Sequence, residues 1–188
     1  MKKGSFSGRK RELEEKFFLE RDKALLQALR EKTAAKQRRE ALSTASGITD
    51  DGLLDQLDEL DISAETLAAL SLVPLIAVAW ADGHLDFKER QAVLEAAEEK
   101  GLEAEHPGHQ LLQQWLEEKP DAKLLAAWKD HVATLSQTLG EPAKAALKTD
   151  LLGRAQAVAE KAGGLLGLGN KVSKAERAVL DELEAAFA

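Results

Sequence analysis

Cysteine and tyrosine are absent from this sequence, methionine occurs once, and only 4% of residues are aromatic. Without cysteine there are no disulfide frameworks, no thiolate zinc sites and no thiol nucleophile. Runs of β-branched and aromatic residues that would build strands are missing as well. Prolines number four, few enough to leave long helices uninterrupted. The longest apolar stretch, Leu67 to Ala81, is 15 residues with Ser71 and Pro74 inside it. A bilayer span needs about 20, so this stretch is expected to be a core helix pair. Met1-Lys2-Lys3 passes into charged residues from Arg9 with no apolar segment between, so no secretory signal is expected, and the cytoplasm is the expected location.

What remains is rich in Ala, Leu, Glu, Lys and Arg, the composition of stacked helices. At 188 residues one core of ordinary size is expected, with length left for an arm. Charge divides the chain. Residues 1–46 carry 13 Lys/Arg against 7 Asp/Glu, and the remainder 13 against 26, within a total of -7. A basic helical arm with a disordered start (1–46) is therefore expected before an acidic all-helical domain (47–188).

Residues 9 to about 43 read as one long helix with an apolar stripe at Leu13, Phe17, Leu25, Leu29 and Leu42, widened by Phe18 and Leu26. Between Glu31 and Glu40 the pattern is wholly polar and cannot be buried. After a small-residue break at Ser43–Gly47, Thr49 or Asp50 is placed to cap a short helix ending at Asp61. A helix from Ser63 to about Ala81 follows, with a kink or restart at Pro74. Further helices are expected over Asp86–Lys100, Pro107–Lys119, Asp121–Leu139, Pro142–Ala162 and Ser173–Phe187. Gly101, Gly140, Gly163 and Gly164 stand at the stops. The expected fold is all-α, an irregular bundle of about eight helices preceded by the long arm.

One local pattern occurs twice. The first copy runs Trp80-Ala81-Asp82-Gly83-His84-Leu85-Asp86-Phe87-Lys88-Glu89-Arg90. The second runs Gly169-Asn170-Lys171-Val172-Ser173-Lys174-Ala175-Glu176-Arg177. Aligning Glu89 on Glu176 places Asp86 on Ser173 and Gly83 on Asn170. Asp and Ser are both N-cap acceptors, Glu three residues on closes a capping box, and Gly and Asn tolerate positive φ. Asp82 also falls at the carboxyl end of a helix, where the macrodipole disfavours a negative charge that a cation would relieve. Asp86 and Glu89 add hard oxygen donors suited to Ca²⁺ or Mg²⁺. The structural alternative is a tight turn at Asp82-Gly83 followed by a capped helix start, and the spacing is not that of an EF-hand loop.

At these residues the sequence resembles the TerB-like family of bacterial tellurite-resistance and stress-associated helical domains, in which an Ala-Asp-Gly turn and an acidic helix start recur in two halves. The resemblance covers about Ala64 to the C-terminus and is most specific from Val78 through Glu89. It implies a compact all-α domain without catalysis, and a divalent-cation role for Asp82, Asp86 and Glu89 with Glu176 from the second half. Gly169-Asn170 departs from the Asp-Gly expected in the second copy. The arm, over about residues 9–31, is also faintly similar to helical inhibitor segments of rotary ATPases.

Other signals have plainer readings. The stretch Gly163 to Lys171 lacks the Lys-Ser/Thr of a phosphate loop and follows a helix rather than a strand. His84, His106, His109 and His131 are expected to be surface residues; His106-Pro107-Gly108-His109 lacks a third zinc ligand. Trp80, Trp115 and Trp128 fall on apolar faces and read as core anchors. No nucleophile elbow or Ser/His/Asp order is present, so an enzyme is not expected. Nucleic acid is disfavoured because the arm offers only Phe6, Phe17 and Phe18 for stacking. The arm is instead expected to dock on a protein partner or a second copy, with Phe17 and Phe18 as its apolar contacts and Arg38 and Arg39 in its polar extension. That leaves two functional expectations, an interaction or scaffold module that takes a cation, and a regulatory protein whose N-terminal helix docks on a larger enzyme complex.

Overall fold

The computed structural model describes residues 5–162 and 172–187, with side chains from Lys16 onward except those of Phe18, Asp22 and Ala162. Residues 1–4, 163–171 and 188, with the stops expected at Gly163 and Gly164 and with Gly169, Asn170 and Lys171 of the second motif copy, lie outside the described residues. All regular structure among the described residues is helical: α1 Ser5–Ser46, α2 Asp51–Glu59, a 3-10 turn Leu67–Leu72, α3 Val73–Ala79, α4 Phe87–Glu99, α5 Pro107–Glu117, α6 Ala122–Thr138, α7 Glu141–Ala162 and α8 Lys174–Ala185.

The chain divides into two units within α1, residues 1–40 and 41–188. In the first unit, Leu19, Leu25, Leu26 and Leu29 are more than half exposed. Helix α1 begins earlier and ends later than expected, starting at Ser5 and running through Ser43 to Ser46. The small residues 43–46 do not break it. Ser46 donates to the Leu42 carbonyl at 2.7 Å within the last turn, and the chain leaves the helix at Gly47, whose φ of +72° suits glycine.

The apolar cluster of the second unit begins at Leu42, 2% exposed. Its centre is α3. Six of the seven residues of Val73–Ala79 are buried, so the segment reads apolar all round, as a helix covered on every side must. Helices α4, α6, α7 and α8 and the 3-10 turn all pack on it. Helices α2, α5 and α8 are amphipathic, giving to the cluster Leu53, Leu54 and Leu57 of α2, Leu111, Leu112, Trp115 and Leu116 of α5, and Leu180 and Leu183 of α8. Trp128 of α6 is 1% exposed and meets Phe187 edge-on, with ring centroids 6.2 Å apart.

Between Ser63 and Ala81 the sequence reading needs correction. Ser63–Thr66 forms hydrogen-bonded turns, with Ser63 N–H donating to Thr66 Oγ1 at 2.8 Å. The 3-10 turn follows, and α-helix begins only at Val73. Of the two expectations at Pro74 the restart holds: it sits in the first turn of α3, where its missing N–H costs nothing, and not at a kink. The helix stops at Ala79, two residues before the expected end.

Candidate functional site

Helices α4 and α8 start in the same way. Asp86 is extended, with φ -83° and ψ 169°, and its Oδ1 accepts the Glu89 N–H at 2.8 Å while Glu89 Oε2 accepts the Asp86 N–H at 2.8 Å. Ser173 has φ -67° and ψ 167°; its Oγ accepts the Glu176 N–H at 3.1 Å, and Glu176 Oε2 accepts the Ser173 N–H. Both are reciprocal capping boxes, each satisfying two backbone donors that a helix start otherwise leaves unmatched.

Both glutamates are buried, at 7% and 6% exposure. Burial pushes the Glu89 carboxyl up from its ordinary 4.5 to about 7. The hydrogen bond from the Asp86 backbone opposes that shift, and the negative charges of Asp86, Asp82 and Glu176 add to it. Three of the four acids singled out in the sequence thus act on the carboxyl of the fourth. Among the described residues no cation is one of the groups that act on it, although the two helix N-termini supply partial positive charge.

Asp82 lies in the turn beyond α3, exposed, its Oδ1 accepting the His84 N–H at 2.9 Å. Gly83 follows with φ +89°, a conformation that a side chain would strain. The turn is held from α5. Trp80 Nε1 donates to the Trp115 carbonyl at 2.9 Å, Lys119 Nζ donates to the Trp80 carbonyl at 3.0 Å, and Arg90 donates to the Leu116 carbonyl. Lys119 and Arg90 thereby occupy carbonyls at the ends of α3 and α5, where positive charge is favoured. Sequence reasoning missed this clamp, because its donors lie 26 to 39 residues from their acceptors.

Among the described residues no three of His, Asp and Glu are grouped so as to hold a metal ion. Each acid already spends an oxygen on a backbone N–H. Beside the clamp, Val73, Ile76, Trp80, Leu124, Leu125 and Val179 line an open, mainly apolar groove of about 200 Å³.

Three of the four histidines differ from their expected surface positions. His109 is buried, its Nδ1 3.0 Å from the Leu102 carbonyl and its Nε2 3.2 Å from Gln113 Nε2. His106 caps α5, its Nδ1 accepting the Gly108 N–H at 3.0 Å. His131 is half-buried, and burial holds its pKa below the usual histidine value. His84 alone of the four is exposed. Of the arm residues singled out, Phe17 is 62% exposed, Arg38 is exposed and Arg39 is half-buried; the Phe18 side chain is outside the described set. No family model, curated protein or solved structure matches the chain.

Proposed function

We propose that this chain is a non-catalytic interaction module of the TerB-like, stress-associated kind, working in the cytoplasm and meeting a protein partner through its N-terminal helix. The observation that carries the reading is where apolar surface remains. Of the large hydrophobic side chains left exposed among the described residues, all but Phe87 lie on the arm, while the second unit encloses its own core. Exposed leucines clustered on one helix are characteristic of a docking face. Co-purification from the native cell with the full chain and with residues 1–40 deleted tests it. Partners held by the full chain and lost on deletion support the reading, and retention of every partner by the truncated form removes it.

A second reading concerns Ca²⁺ or Mg²⁺. The mutual repulsion of Asp82, Asp86, Glu89 and Glu176 favours it, and their hard oxygens are the donor type these ions prefer. The acids do not form a ready-made group, so binding would require side chains to move together, each with an oxygen not engaged by a backbone N–H. Calorimetric titration of chelator-treated protein with each ion, beside Asp82→Ala, decides it. No heat at millimolar ion, or unchanged heat in the variant, removes the cation and leaves the arm reading standing.

A further inference from the structure

The arm's leucine face carries more than apolar area. With 3.6 residues per turn, Leu19, Leu25, Leu26 and Leu29 form one strip about 15 Å long. Arg21 and Lys32 fall along one border of this strip, and Lys16, Lys23 and Arg30, spaced at sevens, fall along the other. All of these residues are exposed. Glu20 and Glu31 fall on the far side, where Gln27 donates to Glu31 at 2.9 Å.

Resting on the docking role given to the arm above, we infer that the partner is a protein that presents an apolar strip bordered by carboxylates, such as an acidic amphipathic helix or an acid-rimmed groove. Basic borders on both edges select it. A second copy of the arm would bring Lys and Arg against Lys and Arg at the positions where paired helices place opposite charges. An anionic membrane responds to net charge near its surface, and over residues 16–32 five Lys/Arg are partly offset by three Asp/Glu. A protein surface reads the borders individually: Glu20 and Glu31, on the far side, do not count against it, and Asp22, which the same helical count places within the strip, is outnumbered by the five border cations.

The test uses the full chain and two labelled synthetic helices with the same leucine strip, one bordered by Glu and one by Lys. Fluorescence anisotropy is expected to show the Glu-bordered helix binding at least about tenfold more tightly. The double variant Lys23→Glu/Arg30→Glu should narrow or reverse that preference, and Leu25→Asp/Leu29→Asp should abolish binding of both helices. Helix content by circular dichroism confirms that the variants remain folded. Equal binding of the two helices, with the leucine dependence kept, overturns the charge inference and spares the docking role; binding indifferent to the leucines overturns both. Two further outcomes overturn it. One is leucine-dependent sedimentation with phosphatidylglycerol vesicles without peptide preference, and the other is a leucine-dependent dimer of the chain by ultracentrifugation without peptide preference.

Discussion

Glu89 and Glu176 hold the same position in two reciprocal capping boxes, and the charge of Glu176 is one of the causes that raise the Glu89 pKa. Two elements that each stabilise their own helix start therefore oppose one another electrostatically. The predictions below follow from that opposition and from the way the two units are built.

The Glu89 carboxyl titrates near 7 in the folded chain against an ordinary 4.5. Between those values the folded state holds a proton that the unfolded chain has released. Stability should therefore fall as pH rises through that window and level off above it. Glu89→Gln keeps the side-chain acceptor for the Asp86 N–H and removes the titration. Urea unfolding should find the variant about 1–2 kcal/mol more stable relative to the parent at a pH of about 8 than at about 4. A constant difference across that range would show that Glu89 is not the group responsible.

The two caps should respond unequally to truncation. Ser173→Ala removes the acceptor for the Glu176 N–H and should cost about 1 kcal/mol. Asp86→Ala removes the same kind of bond but also removes a negative charge that acts on Glu89. Its cost at neutral pH should be smaller and should grow on acidification, as Glu89 takes up its proton. Denaturant midpoints of both variants at two pH values check the order.

These starts were legible in the sequence because cap chemistry is local. Asp50, Asp86, Asp121 and Ser173 each accept a backbone N–H within three residues, and Pro107 opens α5 as proline does at a first turn. The repeat alone puts Glu89 and Glu176 in equivalent places. Features that depend on distant partners were not legible. His109 is buried because the Leu102 carbonyl awaits it, and nothing in His-Pro-Gly-His announces that bond. Pro74 signalled a discontinuity, but whether it marks a kink or a helix start depends on the 3-10 turn packed before it. The α1 end was misjudged because Ser43 and Ser46 bond to carbonyls of their own neighbourhood, which lets small polar residues continue a helix they would ordinarily interrupt.

Trp128 and Phe187 fasten the C-terminus to α6 through their edge-on contact. Both are buried, at 1% and 4% exposure. Phe187→Ala should cost about 3 kcal/mol from lost burial and the cavity left behind. Tryptophan fluorescence should shift as the Trp128 ring gains water. An unchanged unfolding midpoint would mean that the C-terminal turn contributes nothing to the second unit.

Deleting residues 1–40 should leave the second unit folded with nearly the same unfolding midpoint. The buried cluster begins at Leu42, and the division of the chain falls just before it. Far-ultraviolet dichroism should lose the helical signal of the deleted segment, while near-ultraviolet dichroism, reporting the tryptophans of the second unit, should persist. A midpoint lowered by an amount typical of core loss, about 2 kcal/mol or more, would show that the arm is structural to the second unit.

If Ca²⁺ or Mg²⁺ binds where Glu89 meets Asp82, Asp86 and Glu176, it must compete with the proton on Glu89. Ligand that binds only the folded state adds stability as its concentration exceeds the dissociation constant, and protonation of a donor weakens that binding. The gain in unfolding midpoint from millimolar ion should therefore be larger above pH 7, where Glu89 is ionised, than below it. Glu89→Gln should reduce the gain and flatten its pH dependence together, because one change removes both the donor charge and the competing proton. A gain that is the same on both sides of pH 7, or that survives Glu89→Gln intact, would place the ion elsewhere on the acidic surface.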